Sequence, residues 1–199
     1  MDVMTQQDVP SRVVRPGDSL TPEEWLELPE WDGWLDPEGD DLGEVLDGIY
    51  VVSTQPDELH QLVTVRLGEL LRAATPAGLI SWPVPIGLVV PGRHGLAPDL
   101  CVKRLENYRD RRAVPLLVVE VLSPGARQRD ELDKRRAYAD AGVPSYWIVD
   151  PAPPSVIILQ LGASGDYVDV RTIVGEQSAE VDRPFSVRLC PAELVAPPS

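Results

Sequence analysis

The chain contains few cysteines, few lysines and no long apolar run. Its 199 residues include two cysteines, Cys101 and Cys190, which lie far apart and lack the spacing of a zinc site. They are predicted to be reduced structural thiols. No window approaches the roughly 18 apolar residues of a transmembrane helix, and the N-terminus lacks the basic and apolar segments of a secretory signal. We therefore expect a cytoplasmic protein without a membrane partner.

Positive charge is scarce and unevenly distributed. The formal net charge is −14; residues 1–60 contain 16 acidic and 2 basic residues, whereas residues 61–199 contain 16 of each. This balance repels nucleic acid at long range, so nucleic-acid binding would depend on a local basic segment. Residues 93–136 supply one, with 11 basic and 7 acidic residues. Solvated surface charge is the alternative interpretation of this segment.

The length fits one domain that is large enough to bury a hydrophobic core. Residues 1–18 are polar and lack periodicity, which predicts a disordered tail before a single domain over 19–199. The first half of the chain is predicted to form a capped helix from residue 21, a hairpin over 44–53, an amphipathic helix over 56–74, a strand over 80–90 and a turn over 91–95. Two strands containing Asp99 and Glu120 follow, and then a helix over 130–141 and a strand over 146–150. The last predicted elements are a hairpin over 156–161 and 167–174 and a strand over 185–189. The amphipathic helix is expected to pack on a sheet.

Two apolar strands each carry one carboxylate. Asp99 directly precedes a Leu-Cys-Val run, and Glu120 lies within a Leu-Val-Val-Glu-Val-Leu run. Burying an unpaired carboxylate costs several kcal/mol, so such a group usually has a cation, a metal or a chemical role. If the strands are neighbours, the pair can bind Mg²⁺, which takes one or two carboxylates with waters and phosphate oxygens. In the structural alternative, Asp99 caps a strand end and Glu120 pairs with an arginine.

Only two of the 18 basic residues are lysines, Lys103 and Lys134. A lysine supplies a compact amine with a tunable pKa, which the guanidinium of arginine does not. Lys134 lies on the helix that follows the Glu120 strand, with Tyr138 four residues later on the same helix face. It is a candidate for a cation in the site. The alternative is a surface lysine that pairs with Asp130.

Two further polar residues, Glu44 and His60, lie on predicted elements from which their side chains could reach a site. Glu44 begins the hairpin, and His60 lies at the boundary of the apolar stripe of the amphipathic helix. A partly buried structural histidine and a ligand or base both fit this position, since imidazole titrates near neutral pH. Tyr146 and Trp147 are predicted to be core residues rather than platforms for bases. No surface that combines aromatic and basic residues is evident, so the sequence does not distinguish DNA from RNA.

Six blocks of sequence follow one another in a fixed order between about residues 20 and 194. They are Leu20-Thr-Pro-Glu-Glu24, Glu44-Val-Leu-Asp-Gly48, His60 at the start of a helix, Pro98-Asp-Leu100, Val119-Glu-Val-Leu-Ser-Pro124, and Lys134-Arg-Arg-Ala-Tyr138 followed by residues 141–150. In this order they resemble the Uma-two family, a bacterial group of restriction-endonuclease-like proteins in the PD-(D/E)xK nuclease superfamily.

The resemblance implies an α/β, restriction-endonuclease-like core. This core is a central mixed β-sheet flanked by helices, with an N-terminal β-hairpin extension and C-terminal strands. It also implies an endonuclease that hydrolyses DNA with Mg²⁺ or Mn²⁺; RNA stays open as a substrate, and a homodimer is compatible with it. By motif position, Asp99 and Glu120 are the expected metal ligands and Lys134 is the expected site cation. Glu44 and His60 are expected to face the same site.

Two positions depart from the expected motifs. The superfamily motif places a lysine two residues after the strand glutamate, where this chain has Leu122. The family shares this departure, and Lys134 is the expected substitute. Ile49 occupies the place of the second acid in the family's Asp-Gly-Glu. The alternative function is a catalytically inactive binding or scaffold module, with a homo-oligomer as one form of it, which the acidic composition and the missing strand lysine favour.

Overall fold

The computed structural model describes residues 14–28, 43–52, 56–83, 85–90, 93–123 and 129–197, the side chains of residues 129–131 excepted. Of the segment predicted to be a disordered tail, residues 1–13 lie outside this description. Residues 14–18 belong to the folded structure: they form a turn in which the Gly17 amide donates to the Tyr50 carbonyl at 2.8 Å. Residues 14–18 therefore form part of the described fold, before the predicted start of the domain at residue 19.

The largest unit is a six-stranded mixed sheet with the spatial order β10-β9-β8-β7-β6-β3. Its strands are β3 Leu79–Trp82, β6 Leu100–Arg104, β7 Leu117–Val121, β8 Ser145–Pro151, β9 Pro154–Leu161 and β10 Tyr167–Val174. Strands β7 and β8 are parallel, and the other neighbouring pairs are antiparallel. The central strands are buried along nearly their whole length, which explains their continuous apolar sequences. The expected central mixed sheet is confirmed.

A second sheet has four short strands in the order β2-β1-β5-β4. They are β1 Gly43–Leu46, β2 Ile49–Val52, β4 Leu88–Val90 and β5 His94–Leu96. The predicted hairpin is present as β1 and β2, and its Asp47-Gly48 turn has φ values of 52° and 80°, as a two-residue type I′ turn requires. Residue 53, the predicted end of the hairpin, lies outside the described residues. Because β1 also pairs with β5, the hairpin is part of a larger sheet.

Helices cover both faces of the large sheet. The helices on the large sheet are α2 Glu58–Ala74, α3 Arg135–Asp140 and α4 Pro191–Val195, whereas α1 Pro22–Leu26 packs on the small sheet. On one face, α2 packs Val63, Leu67 and Leu71 against β6 and β7. On the other face, α3 packs Tyr138 against β7 and β8. The two helices thus reach strand β7 from opposite sides of the sheet.

This packing confirms the predictions for two core residues and for the cap of α1. Tyr146 and Trp147 are fully buried, so their prediction as core residues is confirmed. The predicted capping box of α1 is also confirmed, because Thr21 Oγ1 accepts from the Glu24 amide while Glu24 accepts from the Thr21 amide. The indole N–H of Trp25 donates to the Gly43 carbonyl at 2.8 Å and so ties α1 to β1.

Three element boundaries differ from the sequence-based expectation. The single strand predicted over 80–90 is instead two strands in different sheets, because Pro83 and Pro85 have no N–H to donate to a ladder. Strand β5 begins within the turn predicted over 91–95. The helix predicted over 130–141 begins as a π-helix, Arg129–Lys134, and continues as α3.

The C-terminal part was only partly anticipated. The last predicted strand is shorter than 185–189: it is β12 Val187–Leu189, which pairs with an unanticipated strand β11 Ala179–Val181. Both cysteines are free and buried, as expected. Among the described residues, no helix is long and apolar enough to cross a membrane.

Candidate active site

Asp99 and Glu120 face each other across two neighbouring strands. Strands β6 and β7 are antiparallel with Leu100 opposite Val119. Asp99 directly precedes Leu100 and Glu120 directly follows Val119, so the same register places the two acids opposite one another. The Val121 amide also donates to Oδ2 of Asp99 at 2.7 Å. The local register of β6 and β7 therefore positions both carboxylates.

Glu120 is held by two side chains from the helix that covers its face. It is 3% exposed, and its Oε1 lies 3.0 Å from Nζ of Lys134. The same oxygen accepts a hydrogen bond from the Tyr138 hydroxyl at 2.7 Å. Lys134 ends the π-helical turn and Tyr138 follows one α-helical turn later, so both point to one face. π-helical turns occur frequently at functional sites.

Glu44 reaches the same ammonium group from the small sheet. Its Oε2 lies 3.0 Å from Nζ of Lys134, and its Oε1 accepts from the Ala97 amide at 2.8 Å. Lys134 is therefore buried between two carboxylates from different sheets. The alternative in which Lys134 is a surface residue is wrong, because the lysine is 5% exposed.

His60 reaches Asp99 from the other face of the large sheet. It lies in the first turn of α2, where Asp57 caps the helix by accepting from the His60 amide at 2.8 Å. Its Nε2 lies 3.2 Å from Oδ2 of Asp99. The histidine is 5% exposed, and the Asp99 side chain is 16% exposed. The five sequence-predicted residues therefore form two contact groups, His60 with Asp99 and Glu44 with Lys134 and Glu120, which the register of β6 and β7 brings next to each other.

The second lysine has a different position. Lys103 lies towards the far end of β6 from Asp99, and its ammonium group donates to the Asp110 carbonyl. Burial lowers the pKa of Lys103. The hydrogen bond described for Lys103 therefore holds the loop after β6 and does not involve Glu44, Asp99 or Glu120.

The charges of this group favour a cation. Glu44, Asp99 and Glu120 are three carboxylates, whereas Lys134 supplies one ammonium, which leaves two negative charges when His60 is neutral. Two opposed carboxylates fit the preference of Mg²⁺ for one or two such ligands completed by water. Among the residues that the structure describes, no three histidine, cysteine or acidic side chains already converge as a complete metal site. Carboxylate oxygens suit a hard cation completed by water better than zinc, whose protein ligands are mostly nitrogen and sulfur.

Tyr138 was noted in the sequence for its position, but its contact with Glu120 was not foreseen. Burial raises the pKa of Tyr138 well above its usual range, and the negative charges of Glu120 and Glu44 act in the same direction. The phenol therefore stays protonated and donates to Glu120 across the ordinary pH range. The amides of Ala97 and Val121 were also missed, because only the strand register reveals backbone donors.

Comparisons with known proteins agree with this architecture. A family model described as "Putative restriction endonuclease", Uma2, matches residues 22–192. No curated protein matches the chain. Among solved structures, the fold is similar to that of a protein from Anabaena variabilis described as a "putative nuclease belonging to DUF820", with a TM-score of 0.69 and 17% sequence identity. That likeness covers 88% of this chain and 97% of the other, and it establishes the fold. Because the family model spans most of its length, the chain belongs to the Uma2 family of restriction-endonuclease-like proteins.

Proposed function

We propose that this protein is a metal-dependent endonuclease that hydrolyses phosphodiester bonds of DNA. The observation that carries the proposal is the placement of Asp99 and Glu120 opposite one another in the register of β6 and β7, with Glu120 in contact with the buried ammonium group of Lys134. Membership of a family described as restriction endonucleases supports nucleic acid as the substrate. Asp99 and Glu120 would hold Mg²⁺ or Mn²⁺.

When bound, such a cation supplies Lewis acidity towards a phosphoryl oxygen and lowers the pKa of a water molecule. The chain itself supplies the remaining functions. The Lys134 ammonium would donate to a phosphate oxygen and stabilise negative charge that develops there. Tyr138 fixes the orientation of Glu120, and His60 fixes that of Asp99. Glu44 positions Lys134 through their 3.0 Å contact.

The test is cleavage of supercoiled plasmid and of single-stranded DNA at low salt, with Mn²⁺ or with EDTA. Glu120→Gln is the decisive variant, because an amide oxygen still accepts from Tyr138 while the negative charge is lost. Glu193→Gln, an exposed glutamate on α4, is the matched control for the loss of one charge. We expect cleavage that requires Mn²⁺, survives in Glu193→Gln and disappears in Glu120→Gln.

The second candidate function is a catalytically inactive binding or scaffold module. The contacts of Lys134 favour it, since its ammonium already neutralises part of the carboxylate charge without a metal. Thermal denaturation distinguishes the two, because a ligand that binds the native state raises the melting temperature. Absence of cleavage, together with an unchanged melting temperature in Mg²⁺ and Mn²⁺, would overturn the nuclease proposal in favour of this module.

A further inference from the structure

The loop after β6 is a basic surface that the catalytic group does not use. This basic loop, residues 104–112, contains four arginines and two acidic residues in a chain whose net charge is −14. Arg104 and Arg109 are exposed, and no salt bridge joins either to an acidic group among the described residues. Arg112, by contrast, lies 3.5 Å from Glu23. Two guanidinium groups are therefore available for an anionic partner.

An aromatic stack lies within the same surface. The rings of Trp82 and Tyr108 are 6.4 Å apart between centroids and only 10° from parallel. The guanidinium carbon of Arg109 lies 5.1 Å from the Tyr108 ring centroid. Tyr108 is 36% exposed. Trp82 and Tyr108 are far apart in sequence, so only the fold reveals this combination of aromatic and basic groups.

The basic loop is held in place from both sheets. The Lys103 ammonium donates to the Asp110 carbonyl, and the Val89 amide of β4 donates to the Arg111 carbonyl at 3.0 Å. The Leu105 amide donates to the Gly78 carbonyl at 2.9 Å. A surface fixed in this way loses little conformational entropy when it binds a ligand.

We propose that the basic loop binds single-stranded DNA, with Arg104 and Arg109 contacting phosphates and Tyr108 stacking on a base. Stacking on an aromatic side chain requires an unpaired base, whereas a duplex presents mainly its phosphates to such a surface. The inference rests on the proposed function, since the bound strand is the substrate of the carboxylate site.

The position of the loop sets a minimum length for that strand. Asp99 and Arg104 lie at opposite ends of β6, which at about 3.3 Å per residue separates them by roughly 17 Å. A stacked strand that advances about 3.4 Å per nucleotide covers this distance with roughly five nucleotides. Oligonucleotides shorter than this reach the loop or the carboxylates but not both.

The test is binding of a labelled oligothymidylate of about twelve nucleotides, within the range of known single-strand sites. Fluorescence anisotropy in EDTA, over a salt series, measures affinity without hydrolysis. We expect Tyr108→Leu to weaken binding by at least about 5-fold, because loss of one base stack has that effect. Tyr108→Phe keeps the ring and should bind like the wild type.

The arginines are tested together. Arg104→Gln/Arg109→Gln should reduce the slope of log affinity against log salt by about 1.4, since each single-strand phosphate contact contributes about 0.7. Arg183→Gln/Arg188→Gln replaces two exposed arginines outside the loop; it is the charge-matched control and should leave the slope of the wild type unchanged. Melting temperatures of all variants establish that each one is folded.

The inference would be overturned if the wild type showed no measurable binding, or if Tyr108→Leu and the double arginine variant both bound with the affinity of the wild type. It would also be overturned if Tyr108→Leu lost duplex binding and single-strand binding to the same extent. Failure of the proposed function is a separate result. Binding as expected without metal-dependent cleavage contradicts the nuclease proposal alone, whereas cleavage with loop-independent binding contradicts the loop proposal alone.

Discussion

The ammonium group of Lys134 lies 3.0 Å from Oε1 of Glu120, although it comes from a helix and not from the strand that carries the glutamate. The strand position at which the nuclease motif has its lysine is Leu122, which is 5% exposed and packs in the same core cluster as Tyr138. The positive charge beside Glu120 is thus supplied by the end of the π-helical turn. The site therefore contains the ammonium group of Lys134, although the motif position of the lysine carries the apolar side chain of Leu122.

Loss of the Lys134 charge should destabilise the protein strongly. Lys134→Met removes the ammonium group that contacts the buried carboxylates of Glu44 and Glu120, and removing one partner of a buried ion pair costs about 3–5 kcal/mol. Urea denaturation measures the change in the free energy of unfolding. The double variant Lys134→Met/Glu44→Gln should recover part of the loss, because one carboxylate has been neutralised. A change below about 1 kcal/mol in Lys134→Met would contradict this account.

The fold was largely predictable because its signals are local. The hairpin has an Asp-Gly turn, α2 has one apolar face, and β6 and β7 are short apolar runs. The prediction of a single strand over 80–90 was wrong, because a continuous apolar sequence does not show where the chain passes from one sheet to another. The proline pair was the available signal for that break.

The site was predictable only in part, for a related reason. Lys134 and Tyr138 are four residues apart on one helix, so their shared face follows from helical geometry. The contact of Glu44 with Lys134 depends on how the small sheet packs, which no local pattern records. The same holds for Trp82 and Tyr108, whose stacking arises from the packing of a loop on an edge strand.

The two histidines provide a matched pair for testing the role of His60. Partners that orient a metal-binding carboxylate typically contribute about 10- to 100-fold to metal affinity or activity. His60→Gln should therefore reduce Mn²⁺ affinity and cleavage by about that factor. His94→Gln should leave both unchanged, because His94 contacts Asp47 in the hairpin turn. Equal losses in the two variants would show that His60 acts only through stability.

Cys101 should react only when the protein unfolds. Burial raises the pKa of its thiol to about 12, although Lys103 acts in the opposite direction. Since the thiolate is the reactive form, alkylation of the native protein near neutral pH should be slow. The variant Cys190→Ser isolates Cys101, and its alkylation rate across a urea series should follow the unfolding transition. Rapid alkylation of native Cys190→Ser would show that Cys101 is accessible.

Two buried tyrosines should make the protein sensitive to alkali. Burial raises the pKa of Tyr138 and of Tyr167 above the usual value near 10. The folded protein therefore keeps protons that the unfolded chain loses above pH 10. Its free energy of unfolding should fall as pH rises above 10, by about 1.4 kcal/mol per pH unit for each tyrosine. Urea denaturation of Tyr138→Phe and Tyr167→Phe between pH 8 and about 11.5 should show a shallower decline in each.

Replacement of Tyr138 and replacement of Tyr167 should differ in their effects on stability at pH 7 and on the rate of cleavage. Tyr138 donates to the Glu120 carboxylate, whereas Tyr167 donates to the Val143 carbonyl. A bond to a charged group contributes about 1.5–3 kcal/mol and a neutral one about 0.5–1.5 kcal/mol, so Tyr138→Phe should be the less stable variant at pH 7. Tyr138→Phe should also slow metal-dependent cleavage, because Glu120 loses the donor that orients it, while Tyr167→Phe should cleave like the wild type. If both variants cleaved at the wild-type rate, the hydroxyl of Tyr138 would have no part in positioning Glu120, and its contact would serve stability alone.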